Sequence, residues 1–512
     1  MKHILFFFIL IFSTFSLAVH AQEIHKCGTT AEDGMHIKQR MLENRATVNQ
    51  VRSRNAVSYV PIRFIIMGTD SGSGYISETK CLEAICLLNE FYEDLDIIFY
   101  LKEFEYLNNS TVYNNAKCST CDNFFSGYMD GRYNAMNMFI VNNAGAGAGG
   151  GITLGFYAPS VPGLPRDYIV IRKANLLDVD VTAHEVGHFF SLSHPFLGWE
   201  GAPYNDINPQ PAPATAPSGQ NPTERANGSN CTTAGDGICD TPADYLNAFS
   251  PSHSGNCEPY DGGALDPLGT PIDPQEENIM SYFRNCSEYV LTPQQIEAVL
   301  DDISSTKRFY LKIGNPAPTN GPIAGTPELT FPADGTQLDT YDGITLTWTA
   351  VSEATEYIVE IDNSSIFASP NFQRYFVSGT SLTVNLIEDA PYYWRVLAYN
   401  PVYTCEPFSE TSFFRTGLLS ATNEIAELER VSVSPNPVQY GEPILVTLST
   451  LISFDAKLEV VDMTGRVVFH EQLKIAGGQT ALSIETGALQ TGMYFIRLES
   501  ASGVNSTKVI IQ

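Results

Sequence analysis

The chain has 512 residues, of which 43% are hydrophobic and 17% are charged, so it is long enough for several hydrophobic cores and too apolar to be disordered throughout. Its formal net charge of −28 argues against a nucleic-acid partner, because phosphate binding requires clustered Lys and Arg. We attribute most of the excess of carboxylates to solubility and a smaller part to extracellular calcium sites.

Residues 1–21 have the pattern of a secretory signal peptide. Lys2 supplies a positive charge, the run from Ile4 to Leu17 is apolar, and Val19-His20-Ala21 offers small residues for cleavage. A membrane anchor is the alternative, but a span needs about 20 apolar residues. No later segment is long and apolar enough to be a transmembrane helix. We therefore expect a soluble mature protein outside the cytoplasm, where its ten cysteines can form disulfides.

Residues 22–54 are polar and contain helix-forming stretches, which indicates a pro-segment. From 55 to 313 the apolar pattern predicts strands that alternate with helices, and therefore an α/β (α+β) domain. The predicted strands are 60–66, 96–104, 136–141, 152–157 and 168–171, and the predicted helices are 77–94, 179–190 and 293–303. Residues 198–275 are rich in Pro, Gly, Asn and Asp and predict long ordered loops.

Two all-β units are predicted after a linker at 314–328 that is rich in Pro, Gly and Thr. Alternating strands at 344–348, 357–361 and 393–399 predict a β-sandwich over 329–417. With Trp348 and Tyr393-Trp394, this pattern resembles a fibronectin type III domain. We expect those aromatic residues to lie in its core.

Residues 430–512 form the second predicted β unit. Val433-Ser434-Pro435-Asn436-Pro437 opens it, Val460 to Val468 reads as strand, turn and strand, and Leu489 to Leu498 and Thr507 to Ile511 follow. This succession resembles the C-terminal sorting domain of the type nine secretion system of Bacteroidetes. The resemblance implies export through the periplasm and outer membrane, with the outer-membrane secretion machinery as a partner. A structural β-sandwich without an export role is the alternative.

The strongest functional motif runs from His184 to His194. His184 and His188 are four residues apart on a predicted helix, so both imidazoles can hold one ion. A Zn²⁺ ion with three protein ligands and one open position is the catalytic arrangement, which makes His194 the third predicted ligand. Glu185 is the predicted general base for the attacking water. Only nine His occur in the chain and three fall here, which argues against ordinary surface histidines.

The spacing of the three histidines resembles that of the metzincin peptidases. The methionine turn of that family is matched by Asn278-Ile279-Met280-Ser281-Tyr282. The resemblance implies that Met280 supports the metal ligands and that Tyr282 helps to stabilise the oxyanion. A thermolysin-like enzyme, with a distant Glu as third ligand, is disfavoured by His194.

The pappalysin family is a closer resemblance, covering about residues 25–310. It rests on His194-Pro195-Phe196, on the stretch from Gly235 to Pro242, and on a cysteine after the methionine turn. The resemblance implies that Asp236 and Thr241 bind calcium, with turn capping as the alternative. It also implies two disulfides near the cleft, Cys231 with Cys257 and Cys239 with Cys286, although four cysteines permit three pairings.

Two positions depart from the family pattern. Ser191 stands where metzincins usually have Gly, and a non-Gly residue with positive φ costs about 1 kcal/mol, which a fold can tolerate. Close relatives favour Arg after the scissile bond through an acidic residue behind the methionine turn. This chain has Phe283-Arg284-Asn285-Cys286 there, which argues against specificity for Arg.

Cys27 is a candidate for keeping the enzyme latent. It lies in Lys26-Cys27-Gly28-Thr29, and a thiolate can bind zinc at about 2.3 Å and displace the attacking water. Some pappalysin relatives are similar in using such a pro-segment cysteine. Cleavage at Ser53-Arg54 would release it. The alternative is a disulfide between Cys27 and a cysteine such as Cys81, Cys86, Cys118 or Cys121.

The Gly-rich stretch from Ala144 to Leu154 leads into a predicted strand and has two interpretations. It is either the edge strand that pairs with an extended substrate, or a flexible loop before an ordinary strand. In sum, the sequence predicts a secreted zinc endopeptidase acting on proteins or peptides, with calcium as a second, structural cofactor. The alternative is a surface binding or adhesion protein that uses its β-sandwich modules and carries an inactive protease domain.

Overall fold

A computed structural model describes residues 24–47, 57–146, 151–161, 166–417, 425–463 and 465–512. The predicted signal peptide and the predicted cleavage site at Ser53-Arg54 lie outside the described residues. The chain divides into two compact units. The first comprises Met1–Gly325, Val351–Thr355 and Tyr399–Pro407, and the second comprises Thr326–Ala350, Glu356–Ala398 and Phe408–Gln512.

A six-stranded sheet forms the centre of the first unit. Its strands are β1 (Ile24–Cys27), β2 (Ser58–Gly68), β3 (Ile97–Asn108), β4 (Met136–Val141), β5 (Ile152–Ala158) and β6 (Tyr168–Arg172), in the order β1-β5-β6-β4-β2-β3. Only β5 and β6 pair antiparallel. All six residues of β4 are buried, as expected for a parallel strand that is covered on both faces.

Helices cover the sheet of the first unit. They are α1 (Ala31–Thr47), α2 (Glu78–Phe91), α3 (Ser110–Asn114), α4 (Cys121–Met129), α5 (Val179–Phe189) and α6 (Pro293–Ser304), with 3-10 turns at Glu93–Leu95, Lys173–Asn175, Asn247–Phe249 and Thr306–Lys312. Local sequence explains the start of α6: Thr292 and Gln295 form a capping box before it, and Pro293 lies in its first turn. None of the described helices combines the length and apolarity that crossing a bilayer requires.

The predicted α/β arrangement is confirmed, and most predicted elements differ from the observed ones only at their ends. The helix expected over 77–94 stops at Phe91, because the chain turns through a 3-10 segment to Asp96, which has a φ of +53°. The region 198–275 contains no α-helix or strand among its described residues other than isolated bridges. It is an ordered loop region, as predicted.

The described residues contain four disulfides, all in the first unit. They join Cys86 to Cys405, Cys118 to Cys121, Cys231 to Cys239, and Cys257 to Cys286. The expected pairing of Cys231 with Cys257 and of Cys239 with Cys286 is therefore wrong. The observed partners have Cα atoms 5.0 and 4.9 Å apart, which is disulfide geometry, and each bridge closes a loop within its own stretch of chain. Cys27 and Cys81 are free and buried, so a disulfide at Cys27 is excluded.

The described part of the second unit consists mainly of antiparallel strand pairs, while Phe414-Arg415 pairs in parallel with Thr336-Gln337. Its first two sheets, β11-β10-β13-β14-β8 and β12-β9-β7, contain β7 (Leu329–Phe331), β8 (Thr336–Gln337), β9 (Ile344–Trp348), β10 (Glu356–Asp362), β11 (Gln373–Val377), β12 (Ser381–Val384), β13 (Pro391–Tyr399) and β14 (Ser412–Arg415). Trp348 and Trp394 are buried as expected. Tyr393 is half-buried, because strand alternation turns Tyr392 to the core instead.

Two further sheets of the second unit contain the predicted sorting domain. Their orders are β15-β16-β19 and β18-β17-β20-β21, with β15 (Leu428–Ser434), β16 (Ile444–Thr450), β17 (Phe454–Asp462), β18 (Val467–Ile475), β19 (Gly478–Ile484), β20 (Gly492–Ser500) and β21 (Val504–Ile511). These strands share a core of their own, which includes Val446, Leu458, Ile496 and Val509.

Candidate active site

Helix α5 presents the histidine motif from within the core of the first unit. Every residue from Val181 to Phe189 is buried. The Thr182 hydroxyl donates to the Leu176 carbonyl at 2.7 Å, and the Tyr92 hydroxyl donates to the Ala183 carbonyl at 2.9 Å. The helix is therefore fixed at the turn that carries His184.

The turn from α5 to His194 is centred on Ser191, which has a φ of +71°. Its hydroxyl donates to Asp302 Oδ1 at 2.5 Å and accepts a hydrogen bond from Arg40 Nε at 2.7 Å. Both bonds involve charged groups and are worth about 1.5–3 kcal/mol each. They offset the conformational cost of placing Ser where Gly is usual.

Four buried side chains meet at this turn. One ligand atom from each of Cys27, His184, His188 and His194 lies within 4.8 Å of the others. His188 Nε2 is 3.1 Å from His194 Nε2 and 3.5 Å from Cys27 Sγ. Donors bound at about 2.0–2.3 Å to one tetrahedral zinc lie about 3–4 Å apart. Three imidazoles and one thiol at these separations fit a zinc ion.

The Nδ1 atom of each of the three histidines has a polar partner, which orients the ring. His184 Nδ1 contacts the Ile279 carbonyl at 2.7 Å, and His188 Nδ1 contacts the Leu192 carbonyl at 2.6 Å. His194 Nδ1 is 3.1 Å from Glu200 Oε1. Such contacts are typical around metal-binding histidines, since they direct the inner nitrogen at the ion. Burial lowers the pKa of His188 well below its usual value, which keeps this ring neutral.

Glu200 is a site residue that the sequence motif did not reveal. Its other carboxylate oxygen accepts a hydrogen bond from the Gly198 amide at 2.7 Å, and burial raises its pKa to about 7. It follows His194 by six residues, and this proximity in sequence is the one signal that could have indicated it.

Glu185 is fully buried and faces both the cluster and the edge strand β5. A Cβ atom on Gly155 would lie 3.0 Å from Glu185 Cγ, so the glycine makes room for the carboxylate. Burial, and then the Glu185 carboxylate, raise the pKa of the Cys27 thiol. The predicted base and the predicted latency residue are therefore close neighbours.

Met280 and Tyr282 lie beside the cluster from the predicted methionine turn. The Met280 sulfur packs on Gly187 of α5, where a Cβ atom would be only 2.4 Å away. The Tyr282 ring centre is 5.1 Å from that of His194, and its hydroxyl donates to the Cys27 carbonyl at 3.0 Å. Burial raises the pKa of Tyr282, so its hydroxyl remains a donor.

The edge of β5 is occupied by the chain's own N-terminal segment. β1 pairs with β5 in parallel, with Cys27 opposite Gly155, and the Gly28 amide donates to the Gly155 carbonyl at 2.8 Å. Thr29 extends the pairing through two hydrogen bonds with the backbone of Tyr157. Residues 152–158 are therefore a strand with an edge that accepts an extended chain.

Helix α1 holds this segment against the site. Arg40 donates to Tyr157 Oη at 2.9 Å and to the carbonyls of His188 and Phe189 at 3.3 and 2.6 Å. Ile37 and Met41 belong to the main core of the first unit. Residues 24–47 of the predicted pro-segment are therefore packed against the candidate active site in this structure.

Asp236 and Thr241 lie in a separate loop. Asp236 Oδ1 accepts hydrogen bonds from the Ile238 amide at 2.9 Å and from the Thr241 hydroxyl at 3.0 Å. These are the contacts of a capped turn. Nearby, the Lys38 ammonium of α1 donates to Asn221 Oδ1 and to the carbonyls of Thr233, Ala234 and Gly235.

Similarity to known proteins bears on both ends of the chain. Residues 432–512 match the family described as the secretion system C-terminal sorting domain. The chain carries such a domain over these residues, and the protein is exported across the outer membrane to the medium or the cell surface. An extracellular metalloprotease of Neurospora crassa is 24% identical over 221 residues, which cover 40% of this chain and 75% of that relative.

Two solved structures also match parts of the chain. A promirolysin mutant from Tannerella forsythia is 16% identical, with a TM-score of 0.37, and the match covers 57% of this chain and 100% of that one. The fibronectin(III)-like modules of Clostridium thermocellum CbhA are 12% identical, with a TM-score of 0.16, over 36% of this chain and 94% of theirs.

Proposed function

We propose that this exported protein is a zinc-dependent endopeptidase of the metzincin type, similar to pappalysins, held latent by its N-terminal segment. The observation that carries the proposal is the buried cluster of His184, His188 and His194 with Glu185 beside it. A purely structural metal site has no use for a buried carboxylate next to the ligands. The similarity to an extracellular metalloprotease supports the same reading.

The three histidines would hold Zn²⁺, which supplies Lewis acidity and lowers the pKa of a bound water to about 7. Glu185 accepts the proton of the attacking water and passes it to the leaving amine. The Tyr282 hydroxyl, now bonded to the Cys27 carbonyl, is directed at a main-chain oxygen beside the cluster. A substrate carbonyl in that place would receive the same hydrogen bond as charge develops on its oxygen.

Latency follows from two features of the N-terminal segment. The Cys27 sulfur lies within 4.8 Å of a ligand nitrogen of each of the three histidines, so it would occupy the position on a bound zinc ion that the attacking water needs. The backbone of Cys27 and Gly28 lies on β5, where an extended substrate would pair by strand addition. We propose cleavage at Ser53-Arg54 as the event that releases the segment, residues 55–313 as the catalytic domain, and 329–417 as a fibronectin-like domain.

Calcium binding at Asp236 and Thr241 stays a prediction. The hydrogen bonds of Asp236 are equally those of turn capping. A calcium titration followed by thermal unfolding measures it directly, because a ligand that binds only the folded state raises the melting temperature. No change across the titration would leave turn capping as the role of both residues.

The test of the proposed function is Glu185→Ala. We expect the variant to retain zinc, measured by metal analysis, and to lose casein cleavage by a factor of about 10²–10⁴, because the attacking water lacks its base. Glu93→Ala, which changes an exposed glutamate of the same unit, is the matched control. A chelator should abolish the activity of the activated parent, and added zinc should restore it.

Activity of Glu185→Ala within tenfold of the parent would contradict its role as base. An activated parent that cleaves no protein or peptide would favour the binding or adhesion protein instead.

A further inference from the structure

The side chain of Lys117 reaches the cleft beside the cluster of Cys27, His184, His188 and His194. Its ammonium donates a hydrogen bond to the carbonyl oxygen of Gly28, the residue that follows Cys27. Its Nζ atom also lies 5.0 Å from the ring centre of Phe156, on the edge strand β5. The ammonium therefore contacts the residue that directly follows Cys27, whose sulfur lies beside the three histidines.

The backbone of Lys117 is held by parts of the fold other than the N-terminal segment. The Lys117 amide donates to Asn115 Oδ1 at 3.1 Å, and the amide of buried Ala116 donates to the Asn143 carbonyl at 3.1 Å. The next residue, Cys118, is bridged to Cys121 at the start of α4. The position of the side chain should therefore persist when residues 24–47 leave the cleft.

Gly145 and Gly28 have no side chains that could separate the Lys117 side chain from the N-terminal segment paired with β5. A Cβ atom on Gly145 would be 2.8 Å from Lys117 Cβ, so the stem of the lysine passes over this glycine. A Cβ atom on Gly28 would be 2.6 Å from both Lys117 Nζ and Thr153 Cγ2. A substrate residue with a side chain in the place of Gly28 would therefore require the end of the Lys117 side chain and Thr153 Cγ2 to shift, and that side chain would then lie beside the ammonium.

Among the described residues, the carboxylates of Asp33, Glu185 and Asp122 act on the Lys117 ammonium electrostatically without forming a salt bridge with it, and Asp33 belongs to α1, which departs with the segment. The direct contacts of the ammonium in that part of the chain are the Gly28 carbonyl and the Phe156 ring. The carbonyl departs with the segment, which leaves a cation facing the substrate path. A carboxylate is a better acceptor for it than a carbonyl, because charge-assisted hydrogen bonds are roughly twice as strong.

We propose that Lys117 is a specificity-determining residue that binds a substrate carboxylate in the place of Gly28, next to the scissile bond. The inference rests on the proposed peptidase function and adds a substrate class to it, namely peptides with an acidic residue beside the cut. The carboxylate can belong to an Asp or Glu side chain or to a peptide C-terminus.

The experiment uses protein from which the residues ahead of β2 have been removed by limited trypsin digestion, verified by N-terminal sequencing. Blocked peptides that differ only by Glu, Gln or Lys on either side of the scissile bond are compared by kcat/KM. We expect the parent to prefer Glu over Lys about tenfold on one side, the size of one charge-assisted hydrogen bond. Lys117→Glu should reverse the order, whereas Lys312→Glu, at an exposed lysine of the same unit, should preserve it.

A second arm measures binding without turnover. Fluorescence anisotropy gives the affinity of the same peptides for the digested Glu185→Ala protein with and without Lys117→Glu. Peptides with a free or an amidated C-terminus in the Gly28 place distinguish a terminal carboxylate from a side chain.

The two proposals fail in different ways. If the parent cleaves the peptides without any preference that depends on Lys117, and the affinities in the second arm are equal, the proposed role of Lys117 is wrong. The proposed peptidase function then stands. Lys117-dependent binding without cleavage by the parent would overturn the peptidase and leave the carboxylate site.

Discussion

Around the site, buried arginine and aspartate side chains form ion pairs with each other. Arg308 donates to Asp302 Oδ2 at 2.7 Å and to Asp167 Oδ2 at 2.8 Å, and all three side chains are buried. Arg40 contributes a second cation, with its Nε 3.3 Å from Asp302 Oδ1. Arg308 and Arg40 lower the pKa of both carboxyls despite burial, so the charges persist. Breaking such a pair is costly, because it leaves an uncompensated buried charge.

Glu224 is less well compensated, and this predicts a pH dependence of stability. Burial, reinforced by Asp236, raises its pKa to about 9, and its Oε2 atom has no hydrogen-bond partner among the described residues. Between its unfolded value of about 4.3 and about 9, only the folded state binds this proton. The contribution of Glu224 to the free energy of unfolding should therefore fall as the pH rises through that range.

Glu224→Gln removes this titration while keeping the shape of the side chain. We expect its melting temperature to exceed that of the parent by a few degrees at pH 8.5 and to differ less at pH 5, measured by thermal unfolding. Glu93→Gln, at an exposed glutamate, is the control. Parallel curves for the parent and Glu224→Gln across this range would show that Glu224 does not stay protonated in the fold.

At the scale of secondary-structure elements, β1 and α1 act together on the cleft. β1 brings Cys27 to the cluster, while α1 anchors the segment through Arg40 and through Ile37 and Met41 in the core. Loss of the thiol would open the metal to water but would leave the strand on β5. We therefore expect the proposed latency to depend on both elements.

The corresponding prediction concerns Cys27→Ala with Glu185 intact. The uncut variant should show partial casein cleavage or process itself faster than the uncut parent, because the fourth metal position is free for water. Cys81→Ala, at the other free buried cysteine, is the matched control and should remain as latent as the parent. N-terminal sequencing over time and casein cleavage measure both effects. An uncut Cys27→Ala protein as inert as the parent would show that the thiol does not maintain latency.

For the whole molecule, the export signal and the metal cluster belong to different units. The sorting domain over 432–512 lies in the second unit and has its own core, whereas Cys27 and the three histidines lie in the first. Each function should therefore be separable from the other by truncation.

Deletion of residues from about 430 onward should retain the protein in the cell envelope of a host with this secretion system, with zinc still bound. Fractionation followed by metal analysis of the purified chain measures both. The complementary control fuses residues 425–512 to a fluorescent reporter, which should then be exported. Normal amounts of the truncated chain in the medium would contradict the prediction.

The sequence by itself determined the features that depend on neighbouring residues. Helical periodicity places His184 and His188 on one face of a helix, and His194 follows only six residues later. The spacing of the histidines therefore predicted the cluster. Five of the six strands of the sheet, β2 to β6, and several strands of the β units were predicted for the same reason, since alternation and apolar runs are local features of the sequence, whereas β1 was not predicted. The sorting domain was recognisable because its strand and turn succession is continuous along the chain.

Only the tertiary structure decided which distant residues meet. Cys86 bonds to Cys405 across 319 positions, and Lys117 reaches Gly28 across 89. The pairing expected for Cys231 and Cys239 was wrong because four cysteines admit three pairings, and chain geometry selects one. The parallel pairing of β1 with β5 likewise depends on where the sheet leaves an edge exposed. Such contacts arise from the packing of the whole unit, and no local pattern in the sequence predicts them.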